Sequence, residues 1–223
     1  MICEKIGCIT LYNADCMEVM KTFKDKQFSL AICDPPYGIG EDGSKNHTRT
    51  KIAKSKNYKP YSGNDKEPPS KEFFNELIRV SKNQIIWGSN HFISRIPFDS
   101  SCWVVWDKDN GLSDFADCEL AWTSFNSAVR KFKWRWSGML QQNMKNKQER
   151  IHPNEKPIEL YKWLLQNYAK EGDTILDTHF GSLSIGIACH DLKFDLTAIE
   201  LDKDYYEMAK KRLINHQKQL QLF

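Results

Sequence analysis

Short apolar runs of strand length alternate with stretches of helical period along most of this 223-residue chain, and that alternation restricts the fold more than any other feature. Runs at 6–12, 28–33, 84–87, 102–106, 119–125, 174–176 and 196–199 read as strands. The apolar spacing at 71–80, 158–169 and 204–214 reads as amphipathic helices. Pro157 suits the first position of a helix, and Gly172 the residue just past the end of one. Strand and helix in alternation predict a single α/β domain over residues 1–223, with a mostly parallel twisted sheet covered by helices on both faces. In such sheets ligands gather at the carboxyl ends of the strands.

One predicted strand ends abruptly: "LAIC" at 30–33 runs into "DPPYG" at 34–38. Proline lacks a backbone donor and fixes its own φ, so Pro35 and Pro36 stop the strand stiffly and leave Asp34 and Tyr37 at its carboxyl edge. A second strand end of interest lies in "DTILDTHFGSLSIGIACHD" at 173–191, which reads as a strand, a tight turn with Gly181 and an apolar helix. Such a turn presents free backbone donors to a nucleotide-like ligand. The next strand, in "LTAIELD", ends at Glu200, about 20 residues beyond Gly181, the offset at which an acid can take the two hydroxyls of a ribose.

Two stretches break the rhythm. Residues 40–69, rich in Lys, Asn, Ser and Pro, are too long for an ordinary connection and read as a mobile basic insert. The other is the polar, basic stretch that follows "VRKFKWRW" at 129–136, a run whose alternation puts Arg130, Phe132, Trp134 and Trp136 on one strand face and Lys131, Lys133 and Arg135 on the other. Residues 45–59 hold six basic residues and no acid, and residues 130–150 hold seven against Glu149 alone. The rest of a chain whose net charge is only +3 is therefore acidic. Basic segments on an acidic body point to a polyanion such as a nucleic acid, with Lys51, Lys54, Lys56, Arg130, Lys133 and Arg135 as candidate contacts. Seven cysteines without a CxxC pair argue against disulfides and a zinc site, and favour reduced, mostly buried thiols. No apolar run approaches a membrane span and no signal peptide is visible, so a cytoplasmic protein is expected.

The motifs resemble those of the S-adenosylmethionine-dependent DNA amino-methyltransferases: "DPPY" at 34–37, "HPNEKP" at 152–157, "DTHFGS" at 177–182 and "AIELDKDYYEMAKKRL" at 198–213. Their order, catalytic motif before cofactor loop, resembles the permuted beta class, and matches at 13–20, 76–90 and 103–111 extend the resemblance over most of the chain. The resemblance implies a Rossmann-like methyltransferase fold with S-adenosyl-L-methionine as cofactor and double-stranded DNA as partner. It implies a catalytic corner of Asp34, Pro35, Pro36 and Tyr37. It also implies cofactor contacts from Asp15 and Cys16 near the adenine, Asp177, His179, Phe180, Gly181 and Ser182 in the loop, and Glu200 on the ribose. His152, Lys156 and the helix starting near Pro157 would receive the methionine carboxylate. No metal is implied. The chain departs from the family's Asp-Pro-Phe-x-Gly-Ser-Gly pattern, with Thr178 and His179 in place of Pro-Phe and Leu183 in place of the second glycine, so a loop that holds the cofactor differently is expected.

The implied chemistry accounts for the strand end. An exocyclic base amine is a poor nucleophile because its lone pair is delocalised into the ring. A carboxylate and a rigid carbonyl accepting its two N–H groups free that lone pair, while Tyr37 stacks on a base flipped from the duplex. Asp at position 34 favours adenine N6. Cytosine N4, where Ser more often stands there, remains the alternative, as does a non-catalytic DNA-binding relative. Residues 126–150, too few for a domain of their own, are the expected target-recognition segment. Finally, Gln219, Leu220, Leu222 and Phe223 at the chain end resemble the short motif by which bacterial replication and repair proteins bind the sliding clamp.

Overall fold

The computed structural model describes residues 1–40, 65–110, 116–137, 140–152 and 154–220. In chain order the elements are β1 (Ile2–Ile6), β2 (Ile9–Asn13), α1 (Cys16–Met20), β3 (Phe28–Cys33), α2 (Lys71–Val80), β4 (Ser81–Trp87), β5 (Trp103–Asp107), β6 (Cys118–Thr123), β7 (Arg130–Lys133), β8 (Trp136–Ser137), β9 (Leu140–Gln141), α3 (Ile158–Tyr168), β10 (Thr174–Asp177), α4 (Ser184–Leu192), β11 (Asp195–Glu200) and α5 (Lys203–Leu220). Nine strands form one sheet in the order β1-β2-β11-β10-β3-β4-β6-β5-β7, and β8 and β9 form a small hairpin. Pairing is parallel from β2 through β4 and between β5 and β7. It is antiparallel between β1 and β2 and where β6 meets β4 and β5.

The central strands are apolar at nearly every position because both faces of the sheet are covered. Along β3, Leu30 and Ile32 enter one core with Leu160, Leu164, Ile187 and Tyr206 of α3, α4 and α5. Ala31 and Cys33 enter the other core, with Val19, Phe74, Leu77 and Phe92 from α1, α2 and the short turns after β4. Arg79 clamps α2 to the end of α1, donating to the carbonyls of Met20 (2.9 Å) and Phe23 (2.9 Å) and pairing with Glu76 and Asp25.

Several expectations are corrected. The run at 6–12 is not one strand but a turn between β1 and β2, which reverse at Gly7 and Cys8, Gly7 taking the positive φ of +60° that a two-residue hairpin loop asks of a glycine. Helix α1 is too short for its period to show, and α5 continues six residues past the predicted 214. Pro157 caps α3 from outside instead of occupying its first turn. The cysteines are free, but only Cys33, Cys102 and Cys189 are buried; Cys3 and Cys118 are exposed. Of the insert at 40–69, residues 41–64 and with them Lys51, Lys54 and Lys56 lie outside the described residues. Its two ends are tied together: the Gly38 amide donates to the Asp65 carboxylate at 2.9 Å and the Gly40 amide to the Asp65 carbonyl at 2.8 Å. Among the described residues no helix is long and apolar enough to cross a membrane.

Candidate active site

Strands β3 and β10 are direct neighbours, Leu176 opposite Ala31, so the "DPPY" turn and the Gly181 turn leave the sheet side by side at its carboxyl edge. The two turns make two adjoining corners.

In the first corner the Tyr37 hydroxyl donates to one Asp34 oxygen at 2.7 Å, while the Lys156 ammonium pairs with the other. Lys156 also donates to the Tyr37 oxygen at 3.2 Å and pairs with Glu119 of β6 at 3.2 Å. Of the ammonium's three hydrogens, Asp34 and Tyr37 take two, and the contact with Glu119 is an ion pair. Its charge rests 5.6 Å from the ring centroids of both Tyr37 and Trp87, and its side chain is 4 % exposed. Glu119 is paired on its far side with Lys108. Burial lifts the Asp34 carboxyl above the ordinary aspartate range against the pull of Lys156. Glu119, which burial alone would lift, is held down at about 2 by Lys156 and Lys108. Lys156 is raised above an ordinary lysine, burial being outweighed by Asp34 and Glu119. Pro35 is buried and Pro36 half-buried, fixing the turn. The Tyr37 ring lies on Gly88, where an added Cβ would fall 2.1 Å from it, and stacks on His91 with centroids 5.3 Å apart.

In the second corner Glu200 ends β11 with one oxygen accepting the Gly181 amide (2.9 Å) and the other the Asp202 amide (2.8 Å). Asp177 ends β10 and accepts the His179 amide at 3.0 Å. The His179 ring packs edge-on to Phe73 and meets Cys16 Sγ at 3.8 Å, beside Asp15, which caps α1. Burial pushes Asp177 up to about 8, Glu200 to about 7 and Cys16 to about 12, and lowers His152 and His179 to about 4. Of the two loop aromatics, Phe180 turns inward onto Tyr206, leaving His179 toward Asp15 and Cys16. Ser182 Oγ is bonded to Ser184 Oγ at 3.1 Å. Leu183 adopts φ 58° and ψ 31°, the left-handed region that favours glycine, and buries its side chain over Gly186.

The structure thus brings Asp15, Cys16, Asp177, His179, Gly181 and Glu200 together, and sets His152 behind the loop, its ring 4.4 Å from that of Tyr205. It separates Lys156 from this group and places it on Asp34. Lys133 and Arg135, expected on DNA, pair with Asp109 at 3.0 and 2.7 Å, and Lys131 with Asp107 at 3.4 Å, so part of that basic charge is neutralised within the fold. Glu119 went unnoticed in the sequence. Its signal there is an acid flanked by Cys118 and the apolar run "LAW".

A profile of the DNA methylase family matches residues 109–211. The type II methyltransferase M2.MboI of Moraxella bovis is 24 % identical over 91 % of this chain and 86 % of that protein. M.HpaI of Haemophilus parainfluenzae is 25 % identical over 91 % and 73 %. Among solved structures, M1.HpyAVI in complex with S-adenosylmethionine superposes with a TM-score of 0.55 over 92 % of this chain and all of that one, at 21 % identity. The cytosine-N4-specific PvuII DNA methyltransferase does so with 0.59 over 93 % and 90 %, at 11 % identity. The methylase is therefore an S-adenosylmethionine-dependent enzyme acting on DNA, with the family's Rossmann-like fold.

The second corner suits that cofactor chemically. Asp15, Asp177 and Glu200 supply a carboxylate-rich mouth, and among the described residues no lysine or arginine forms an ion pair with any of the three. Acceptors of this kind match ribose hydroxyls and a ligand carrying sulfonium and ammonium charges.

Proposed function

We propose that this methylase transfers the methyl group to N6 of adenine, with Asp34, Pro35, Pro36 and Tyr37 as its catalytic corner. The observation that carries the reading is the Asp34 carboxylate, half-buried, fixed from two sides by Tyr37 and Lys156, and one strand away from the carboxylate-rich nucleotide corner. A carboxylate at this position, where the cytosine-N4 enzymes more often carry serine, favours adenine.

In this reading Asp34 accepts one N–H of the target amine through a remaining lone pair, and the Pro35 carbonyl accepts the other. The amine then pyramidalises and its lone pair becomes available. When bound, S-adenosylmethionine supplies an electrophilic methyl group on its sulfonium sulfur. Glu200 and Asp15 hold its nucleoside end, and Asp177, His179, Gly181 and Ser182 line its approach to Asp34. As the nitrogen gains the methyl group it gives up one proton, and Asp34, made more basic by burial, is the acceptor within reach. Tyr37 stacks on the flipped base. Arg130, Lys133 and Arg135, with the segment 126–150 around them, contact the duplex and read its sequence, and an enzyme with that task resides at the nucleoid.

The test is methyl transfer to unmethylated duplex DNA followed by nucleoside analysis by mass spectrometry. N6-methyldeoxyadenosine is expected, and N4-methyldeoxycytidine would overturn the adenine reading. Asp34→Ala should abolish transfer while cofactor binding by calorimetry stays within about threefold. The chain end adds a separate proposal, that Gln219, Leu220, Leu222 and Phe223 dock on the sliding clamp. It is supported by the sequence pattern and by an exposed Gln219 at the end of α5. Equal clamp binding by a 217–223 peptide and its Phe223→Ala form would refute it.

A further inference from the structure

Four charges of alternating sign form a row that starts at the catalytic corner: Asp34, Lys156, Glu119 and Lys108. Glu119 stands on β6 opposite Trp106 of β5, and the Lys108 ammonium lies 5.1 Å from the centroid of the Trp106 indole. Lys156 reaches Asp34 and Glu119 with the same nitrogen. A buried lysine facing one acid would pair with it fully and blunt its capacity to accept a further hydrogen bond. Facing two, it divides its charge, and the group of three keeps one net negative charge.

We infer that Glu119 is a positioning residue for methyl transfer: by drawing the Lys156 ammonium between two carboxylates, it leaves Asp34 a stronger acceptor, open to the target amine. Lys108 completes the arrangement, since it neutralises Glu119 and lets an acid inside the sheet remain ionised. The inference rests on the reading of Asp34 as acceptor of the amine proton. It adds a requirement that the strand end alone does not contain, because Glu119 belongs to a different strand two places along the sheet from β3.

The experiment compares wild type, Glu119→Gln, Glu119→Asp and Asp34→Asn as full-length proteins. They methylate unmethylated bacterial genomic DNA with methyl-labelled S-adenosylmethionine across the pH range in which all stay folded. The groups facing Asp34 are Lys156, Glu119, Tyr37, Tyr161 on α3 and Asp177 on β10. Removing the negative neighbour and leaving Lys156 to Asp34 alone both make Asp34 more acidic. Glu119→Gln should therefore lower kcat about tenfold or more, hold KM for DNA and cofactor within about twofold, and move the acid limb of kcat downward by about half a pH unit or more. Glu119→Asp should recover part of kcat and return the limb toward wild type. A purely structural role would lower stability and leave the limb in place, and that outcome, like unchanged kcat in Glu119→Gln, overturns the inference. If Glu119→Gln does not melt cooperatively, Glu119→Gln with Lys108→Gln removes one charge of each sign and is read in the same way. Asp34→Asn separates the two proposals. If it retains wild-type turnover, the Asp34 reading fails. If it is inactive while Glu119→Gln is fully active, only the role of Glu119 fails.

Discussion

Replacing Gly88 by alanine would test whether the catalytic corner is held by steric fit as well as by hydrogen bonds. Gly88 has φ 70° and ψ 12°, and a Cβ there would lie 2.1, 2.3 and 2.4 Å from three carbons of the Tyr37 ring. Two penalties combine. A non-glycine residue in the left-handed region costs about 1–2 kcal/mol. An unaccommodated Cβ against a packed ring costs about 1–3 kcal/mol as overpacking. If the ring moves away instead, it gives up its bond to the Asp34 carboxylate, a charge-assisted contact of about 1.5–3 kcal/mol. Either route predicts a loss of about 2–5 kcal/mol in unfolding free energy. The decisive assay is a double-mutant cycle by denaturant unfolding. In a Tyr37→Ala background the ring is absent, and Gly88→Ala should retain only the backbone penalty of about 1–2 kcal/mol. Equal losses in both backgrounds would show that the glycine serves the turn alone and that Tyr37 owes it nothing. Methyl transfer by Gly88→Ala should fall further than its cofactor affinity, since the altered contact lies in the catalytic corner.

Glu200, at about 7 without cofactor, should ionise fully when ribose hydroxyls donate to it. Cofactor binding near neutral pH should thus release protons and weaken as pH falls below about 7, and calorimetry in buffers of different ionisation enthalpy that detects no proton exchange would refute this. Asp177 has a folded-state value of about 8, above its unfolded one, so the stability it contributes at low pH is lost as pH rises through about 8. The cofactor-free protein should melt at lower temperature at pH 9 than at pH 7 by a margin that Asp177→Asn reduces. Asp109→Asn should release Lys133 and Arg135 and steepen the salt dependence of DNA binding in gel-shift titrations, and an unchanged slope would place those side chains away from phosphate.

The strand ends that matter were readable because their chemistry is local. Two prolines after an apolar run must stop a strand, and an acid closing the strand after a glycine turn falls on the same edge. The alternation of elements gave the layering for the same reason: Leu30 and Ala31 are both apolar because each meets its own layer of helices. What escaped depends on contacts distant in sequence. Lys156 looked like a cofactor ligand from its place in "HPNEKP", yet its ammonium reaches Asp34 across 122 positions of the chain. Glu119 acquires meaning only when β6 turns antiparallel against β4 and lays that acid beside Lys156. The hairpin at Gly7 was hidden because apolar residues on both sides of a two-residue turn merge into one run. The pairing of Lys133 and Arg135 with Asp109 was likewise invisible in a count of charges.

The order of the sheet also governs how the protein must come into being. Strands β10 and β11, which carry the nucleotide corner, lie between β2 and β3, although both of those strands are made long before them. Asn13 bonds the Glu200 carbonyl 187 positions away, and that contact joins the first strands to the last. During synthesis β2 and β3 therefore have no neighbour on their facing edges, and the sheet has a slot two strands wide that only the final third of the chain can fill. Parallel insertion at such separation is slow, and the waiting edges of "ITLYN" and "FSLAIC" are apolar and open to pairing with other chains. The polypeptide acquires its proposed nucleotide-binding edge and its protection from aggregation in the same late event.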